Sequence, residues 1–147
     1  MRGLVLVGVV ALLAGSAVQT NAQNRLVWGP APPSLPKGAK LAVVSGDPAK
    51  PGPFVIQLRF PPAYVVPPHS HPSDEHVTVL DGALSLGMGS VMDGERLKVL
   101  GRFKSAIAPA NMSHYSSTTQ GATVQISSQG PFQIKYVNPA DDPRNGG

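Results

Sequence analysis

PPHSHPSDEHVTVLDG, residues 67–82, holds three of the four histidines in the chain. His69, His71 and His76 fall within eight residues, beside the carboxylate of Glu75. The stretch is either a polar loop or a ligand cluster carried on strands. His69 and His71 are two apart, so on a strand both point to the same side. Pro72, Ser73 and Asp74 then turn the chain, and Glu75 begins the next strand. Glu75 and Val77 share one face of that strand, while His76 and Thr78 share the other. His69, His71 and Glu75 therefore converge inward, and His76 points away. Two imidazoles and a carboxylate suit a divalent transition metal.

A fourth donor lies in APANMSHYSS, residues 108–117. Pro109 and Asn111 make a turn, and Asn tolerates the left-handed conformation such a turn needs. His114 starts the strand that leaves it. If that strand runs beside the first pair, His69, His71, His114 and Glu75 surround a single point.

Outward from this cluster the pattern is that of strands. FVIQLRF (54–60) alternates, with Phe54, Ile56, Leu58 and Phe60 on one face and Gln57 and Arg59 on the other. HVTVL (76–80) is β-branched and ends at Asp81-Gly82, which reads as a hairpin turn with ALSLGMG (83–89) as the return strand. KLAVVSGDP, RLKVL, RFKSAIA, TVQIS and FQIKYV supply further short strands. Sixteen Gly and sixteen Pro punctuate them without a repeat. No window after the first 23 residues has a convincing helical period. Seven to nine short strands predict an all-β sandwich or closed barrel over residues 40–138.

Residues 24–39 are Pro-rich and aperiodic and predict an extended arm, with Trp28 docked on the domain or a partner subunit. Residues 139–147 read as a flexible polar tail. The first 23 residues have Arg2, an apolar run from Leu4 to Leu13, and small residues ending at Thr20 and Ala22. That is the pattern of a cleaved signal peptide, and it predicts a secreted or periplasmic protein with no membrane anchor after cleavage.

The chain has no cysteine, which excludes disulfides, thiolate catalysis and Cys-ligated zinc. Its net charge of +4 comes from scattered Lys and Arg. A nucleic-acid surface would cluster them among aromatics, so nucleic acid is not an expected partner.

At the histidines a resemblance becomes specific. His69-Ser-His71, three residues, Glu75, six residues, Gly82 resembles the first cupin motif without a gap. Gly101 through Pro109 and Asn111 to His114 resembles the second motif with departures. Its spacer is two residues longer, Asn111 stands where Gly is usual, and Thr118 where Asn is usual. GDPAKPGPFVIQLRFPPAY and GPFQIKYVNPADDPR are similar to exported bacterial single-domain cupins, including ChrR-like members. The resemblance covers about residues 40–137. It implies a cupin double-stranded β-helix (a small jelly roll), a metal near the middle of the barrel held by His69, His71, Glu75 and His114, and frequent homodimers.

Several residues read more plainly. His76 has the wrong parity for the cluster. Asp74 reads as an exposed loop carboxylate and Asp81 as part of its turn. Gly87-Met88-Gly89 marks a turn or a close packing point. Ser113 has no elbow motif and no third partner, which argues against a serine hydrolase. Phe54, Ile56, Phe60, Met88, Phe132 and Tyr136 are core candidates, with Tyr64 and Gln57 as further pocket candidates.

The donor set leaves the function open. Four protein ligands around Zn can complete a tetrahedron and close the site. Around Fe, Mn or Ni, octahedral preference leaves two positions for a small oxygenated or aromatic molecule. The first reading is a dioxygenase, isomerase or lyase in which Glu75 shuttles a proton. The alternatives are a non-catalytic metal or small-ligand binding or sensing module, and a vestigial site.

Overall fold

Phe54, Ile56, Leu58 and Phe60 are all buried on one face of a nine-residue strand, as their alternation requires. The same period builds the rest of the computed structural model, which describes residues 25–146. The expected signal peptide, residues 1–23, lies outside the described residues. Eleven strands follow in order among the described residues: β1 (Gly29–Pro30), β2 (Lys40–Ser45), β3 (Gly52–Phe60), β4 (Tyr64–Ser70), β5 (Glu75–Gly82), β6 (Leu84–Met88), β7 (Lys98–Leu100), β8 (Ser105–Ala108), β9 (His114–Thr118), β10 (Ala122–Gly130) and β11 (Lys135–Tyr136). Among the described residues two short 3-10 turns accompany them, Gly94–Arg96 between β6 and β7 and Pro139–Asp141 after β11. No helix among the described residues is long and apolar enough to cross a membrane.

The strands form two antiparallel sheets. One has six strands in the order β1-β2-β3-β10-β5-β8, the other five in the order β11-β4-β9-β6-β7. Val77, Val79, Val124 and Ile126 from the first sheet meet Val66, Leu84, Leu86 and Tyr136 from the second in one apolar core. The all-β jelly roll expected from the sequence is the observed architecture.

One local reading is overturned. Asp81-Gly82 does not close a hairpin, because β5 and β6 belong to different sheets. The two residues stay in the ladder with Thr123 and Ala122 of β10, beyond a bulge in register. Gly82 has φ +72°, and a Cβ there would meet the Gly121 carbonyl oxygen at 2.4 Å. Glycine is required where the chain turns the corner from one sheet to the other.

Gly87 is a different case, since its φ is ordinary. A Cβ on it would lie 2.2 Å from the ring of Tyr115, which is completely buried. The Tyr115 hydroxyl accepts from the Asp93 amide and donates to the Asp93 carbonyl, both at 3.0 Å. The close approach of ring to backbone thus pins the β6–β7 loop. Met88, expected in the core, is 37% exposed. It shares the parity of the buried Leu84 and Leu86 but is the last residue of β6, and it is exposed at that end of the strand.

The arm packs against the barrel. Leu35 is buried and joins the core, Tyr64 donates its hydroxyl to the Pro36 carbonyl, and Tyr136 donates to the Ser34 carbonyl at 2.8 Å. Burial pushes the Tyr136 phenol up to about 12, so both anchors stay protonated donors at neutral pH. Trp28 is half-buried under the Arg59 guanidinium, 4.0 Å from its ring centre.

Candidate metal centre

His69 and His114 are direct cross-strand partners on the neighbouring strands β4 and β9. His71 stands just past β4, and Glu75 opens β5 in the opposite sheet. Four side chains from both sheets therefore meet inside the barrel, and all four are buried. One potential ligand atom from each lies within 4.8 Å of the others. His76 is exposed, as its parity requires.

The turn carrying His114 adopts the expected geometry. Asn111 has φ +61° and donates its amide to the His71 carbonyl at 2.7 Å. Asp74, read from sequence as an exposed loop carboxylate, is exposed and accepts from the Ala110 amide at 2.7 Å. Its carbonyl also accepts from the Ser128 hydroxyl. The His69–Glu75 turn and the His114 turn are thus tied together at two points. No spacing rule could have assigned Asp74 this role, because its partner is 36 residues away.

Each imidazole is oriented through its far nitrogen. Nδ1 of His69 donates to the Pro67 carbonyl at 2.7 Å, that of His71 to the Gln133 carbonyl at 2.7 Å, and that of His114 to the Met112 carbonyl at 3.1 Å. A carbonyl can only accept, so the proton of each neutral ring sits on Nδ1 and the lone pair on Nε2 faces the centre. Glu75 Oε2 lies 3.1 Å from His114 Nε2 and 3.4 Å from His71 Nε2. The longer approach is an ionic distance but is not aligned as a hydrogen bond. His71 Nε2 is accordingly the single buried side-chain nitrogen or oxygen without a hydrogen-bond partner among the described residues.

This arrangement is rich in electron pairs and poor in positive charge. Burial by itself would raise the Glu75 carboxyl, but His114 and His71 outweigh it and hold the group below the usual carboxylate range. Burial lowers His71, yet the Glu75 carboxylate and the Gln133 carbonyl outweigh it and leave the ring above its ordinary value. Burial, aided by repulsion from His114 and His71, drives His69 down to about 3, so that ring is neutral. A buried carboxylate among imidazole lone pairs needs either shared protons or a cation. Donors about 2.1 Å from one ion stand about 3–4.2 Å apart, so the observed separations fit a single divalent cation after small shifts.

The centre opens on a cavity of about 30 Å³ lined by Leu35, Val66, Leu86, Ser116, Phe132 and the four ligands, among others. A water needs about 10–15 Å³ on this measure, so there is room beside an ion for only one or two. Leu35 reaches this wall from the arm, a role that the arm's sequence gave no period to suggest. Of the other sequence candidates, Phe60 and Phe132 line the cavity, whereas Gln57 bonds Gln125 on the outer face and Tyr64 holds the arm.

No family model matches the sequence, and no curated protein matches it. Solved structures do match. A cupin 2 domain-containing protein from Halorhodospira halophila superposes with a TM-score of 0.58 at 14% identity, over 71% of this chain and 73% of that one. The fold is that of the cupins. The polyketide cyclase RemF from Streptomyces resistomycificus gives a TM-score of 0.60 at 18% identity, over 71% of this chain and 75% of its own. KdgF from Halomonas sp. gives 0.55 at 17% identity, over 70% and 84%. Identities this low speak for the cupin fold alone, and the capacity to hold a metal rests on the side chains of this chain.

Proposed function

We propose that this chain is an exported metal-binding cupin in which His69, His71, Glu75 and His114 hold one divalent transition metal, with Fe, Mn, Ni and Zn as candidates. The observation that carries the reading is the buried convergence of three Nε2 lone pairs and a carboxylate, each ring oriented by a backbone carbonyl. Around an ion that prefers six ligands the centre is an enzyme site, acting on a small oxygenated or aromatic molecule by dioxygenation, isomerisation or elimination. The metal, when bound, supplies Lewis acidity or oxygen activation.

The chain's own groups do the rest. The three rings hold the ion through Nε2, the apolar wall excludes water, and Glu75 takes and returns a substrate proton at its carboxylate. That the fold neighbour RemF is a cyclase is consistent with chemistry on this scaffold. Export follows from the leader pattern of residues 1–23, and a homodimer is the expected assembly.

A second reading is favoured by the tightness of the chamber. A cavity of about 30 Å³ is far below the roughly 300–1,000 Å³ of ordinary ligand pockets, which suits a closed site that binds metal without turnover. Cobalt-substituted protein separates the two. An open site predicts that its visible spectrum shifts when acetohydroxamate, a small chelator, is added. A spectrum that is four-coordinate and indifferent to the chelator overturns the enzymatic reading and leaves the binding module.

A further inference from the structure

Directly outside the metal chamber lies a second pocket, of about 400 Å³. The two share the wall formed by His71, Phe132 and Ile134. Phe132 lies flat on the His71 ring, with centroids 5.0 Å apart and planes at 16°. The outer pocket has the volume of a small-molecule site, which the inner chamber lacks. Its polar lining includes two cations, Lys135 and Arg144, and two amide side chains, Asn111 and Gln133, with no acidic residue. Asp142 stands behind Arg144 and takes its Nε and Nη2 edge at 2.7 and 2.6 Å, while Nη2 also donates to the Ile134 carbonyl. That pairing anchors the guanidinium at the pocket and leaves Nη1 without a hydrogen bond among the described residues. Lys135 is exposed at the rim.

We propose that this outer pocket binds a small organic carboxylate. The carboxylate is held by Lys135 and the unpaired Nη1 of Arg144, and the apolar body rests on Phe132 and Pro72. A guanidinium nitrogen held in place by Asp142, with a second cation beside it, offers N–H donors and positive charge to a carboxylate, and the apolar floor favours an organic body over an inorganic oxyanion. The pocket's use as the antechamber of the metal centre rests on the proposed function above. Its ability to bind a carboxylate does not.

The test is an NMR titration of the full chain with benzoate, using benzamide as the uncharged isostere and repeating each arm on metal-free protein. Benzoate shifts the resonances of Asn111, Phe132 and Lys135, and binds more tightly than benzamide with or without metal. Lys135→Gln and Arg144→Gln each weaken benzoate about two- to fivefold and leave benzamide unchanged. Lys135→Gln is at an exposed position and keeps the fold testable should Arg144→Gln loosen the tail. Benzoate that binds no better than benzamide, or that binds only when metal is present, overturns the proposal. Benzoate bound in the pocket of a protein that takes up no metal supports it and removes the metalloprotein reading instead.

Discussion

Replacing Leu35 by Ala tests whether the Pro-rich arm is part of the metal chamber or merely lies on the barrel. Leu35 is 6% exposed and lines the cavity above the centre. Its burial as an apolar side chain contributes about 1.5–3 kcal/mol, and truncation adds a cavity cost because the chamber cannot fully collapse. Buried Leu→Ala changes run from about 2.7 to 5 kcal/mol. The arm joins the sheet through the short β1–β2 ladder, and its bonds from Ala31 to Ala39 and from Leu35 to Pro32 are internal to it, so it can settle into part of the space. The expected loss is therefore at the low end, about 3 kcal/mol. For a domain of roughly 120 residues this lowers Tm by about 10 °C. Urea unfolding at 25 °C gives the first number and a thermal scan the second. The same variant should speed extraction of bound metal by a chelator, since the wall over the ligands is thinned. A loss below about 1 kcal/mol, with unchanged extraction, would show that the arm does not seal the chamber.

Three further perturbations follow from named contacts. Asp74→Ala removes the acceptor of the Ala110 amide and should cost about 1 kcal/mol while weakening metal binding, measured by competition with a colorimetric chelator. Unchanged affinity would mean that the His114 turn is held without it. Gly87→Ala forces a Cβ into the Tyr115 ring and should destabilise by about 1–3 kcal/mol, with loss of the tyrosine near-ultraviolet signal; a neutral outcome would refute the close packing. For metal-free protein, pH acts with a definite sign. His69 is neutral down to about 3 when folded but takes a proton near 6.5 when unfolded, so its contribution is complete above about 6.5 and is lost as pH falls towards 3. Glu75, held low, adds acid sensitivity below about 4.3. His71, held high, opposes both, giving stability below about 6.5 that fades as pH rises through its folded value. Thermal scans should thus show Tm falling from pH 6.5 to 4, and His69→Phe should flatten that fall; an unchanged slope in the variant would contradict the assignment.

What could be read without coordinates was the part governed by local parity. The alternation of 54–60, the convergence of His69, His71 and Glu75, and the outward His76 all follow from the two-residue repeat of a strand. The positive φ at Asn111 followed from the residue types around it. What could not be read depended on contacts far apart in the chain. β3 pairs with β10, so Gln57 meets Gln125 across 68 residues. Asp81-Gly82 has the composition of a hairpin, and its pairing with the distant Thr123 and Ala122 reveals it as a corner between sheets. Leu35 sits in a segment without period, and its burial is decided by two tyrosine hydroxyls supplied from β4 and β11. The pocket outside His71 was invisible for the same reason, since the tail supplies its guanidinium.

The most direct trial of the whole account is the metal content and X-ray absorption of the protein reconstituted with a single divalent metal, compared with its His71→Ala variant. The expected result is one tightly held ion per chain, with imidazole nitrogen dominating its ligands, and loss of most of that binding in the variant. Stoichiometric metal that survives the substitution with an unchanged spectrum, or a wild-type chain that holds none, would contradict it.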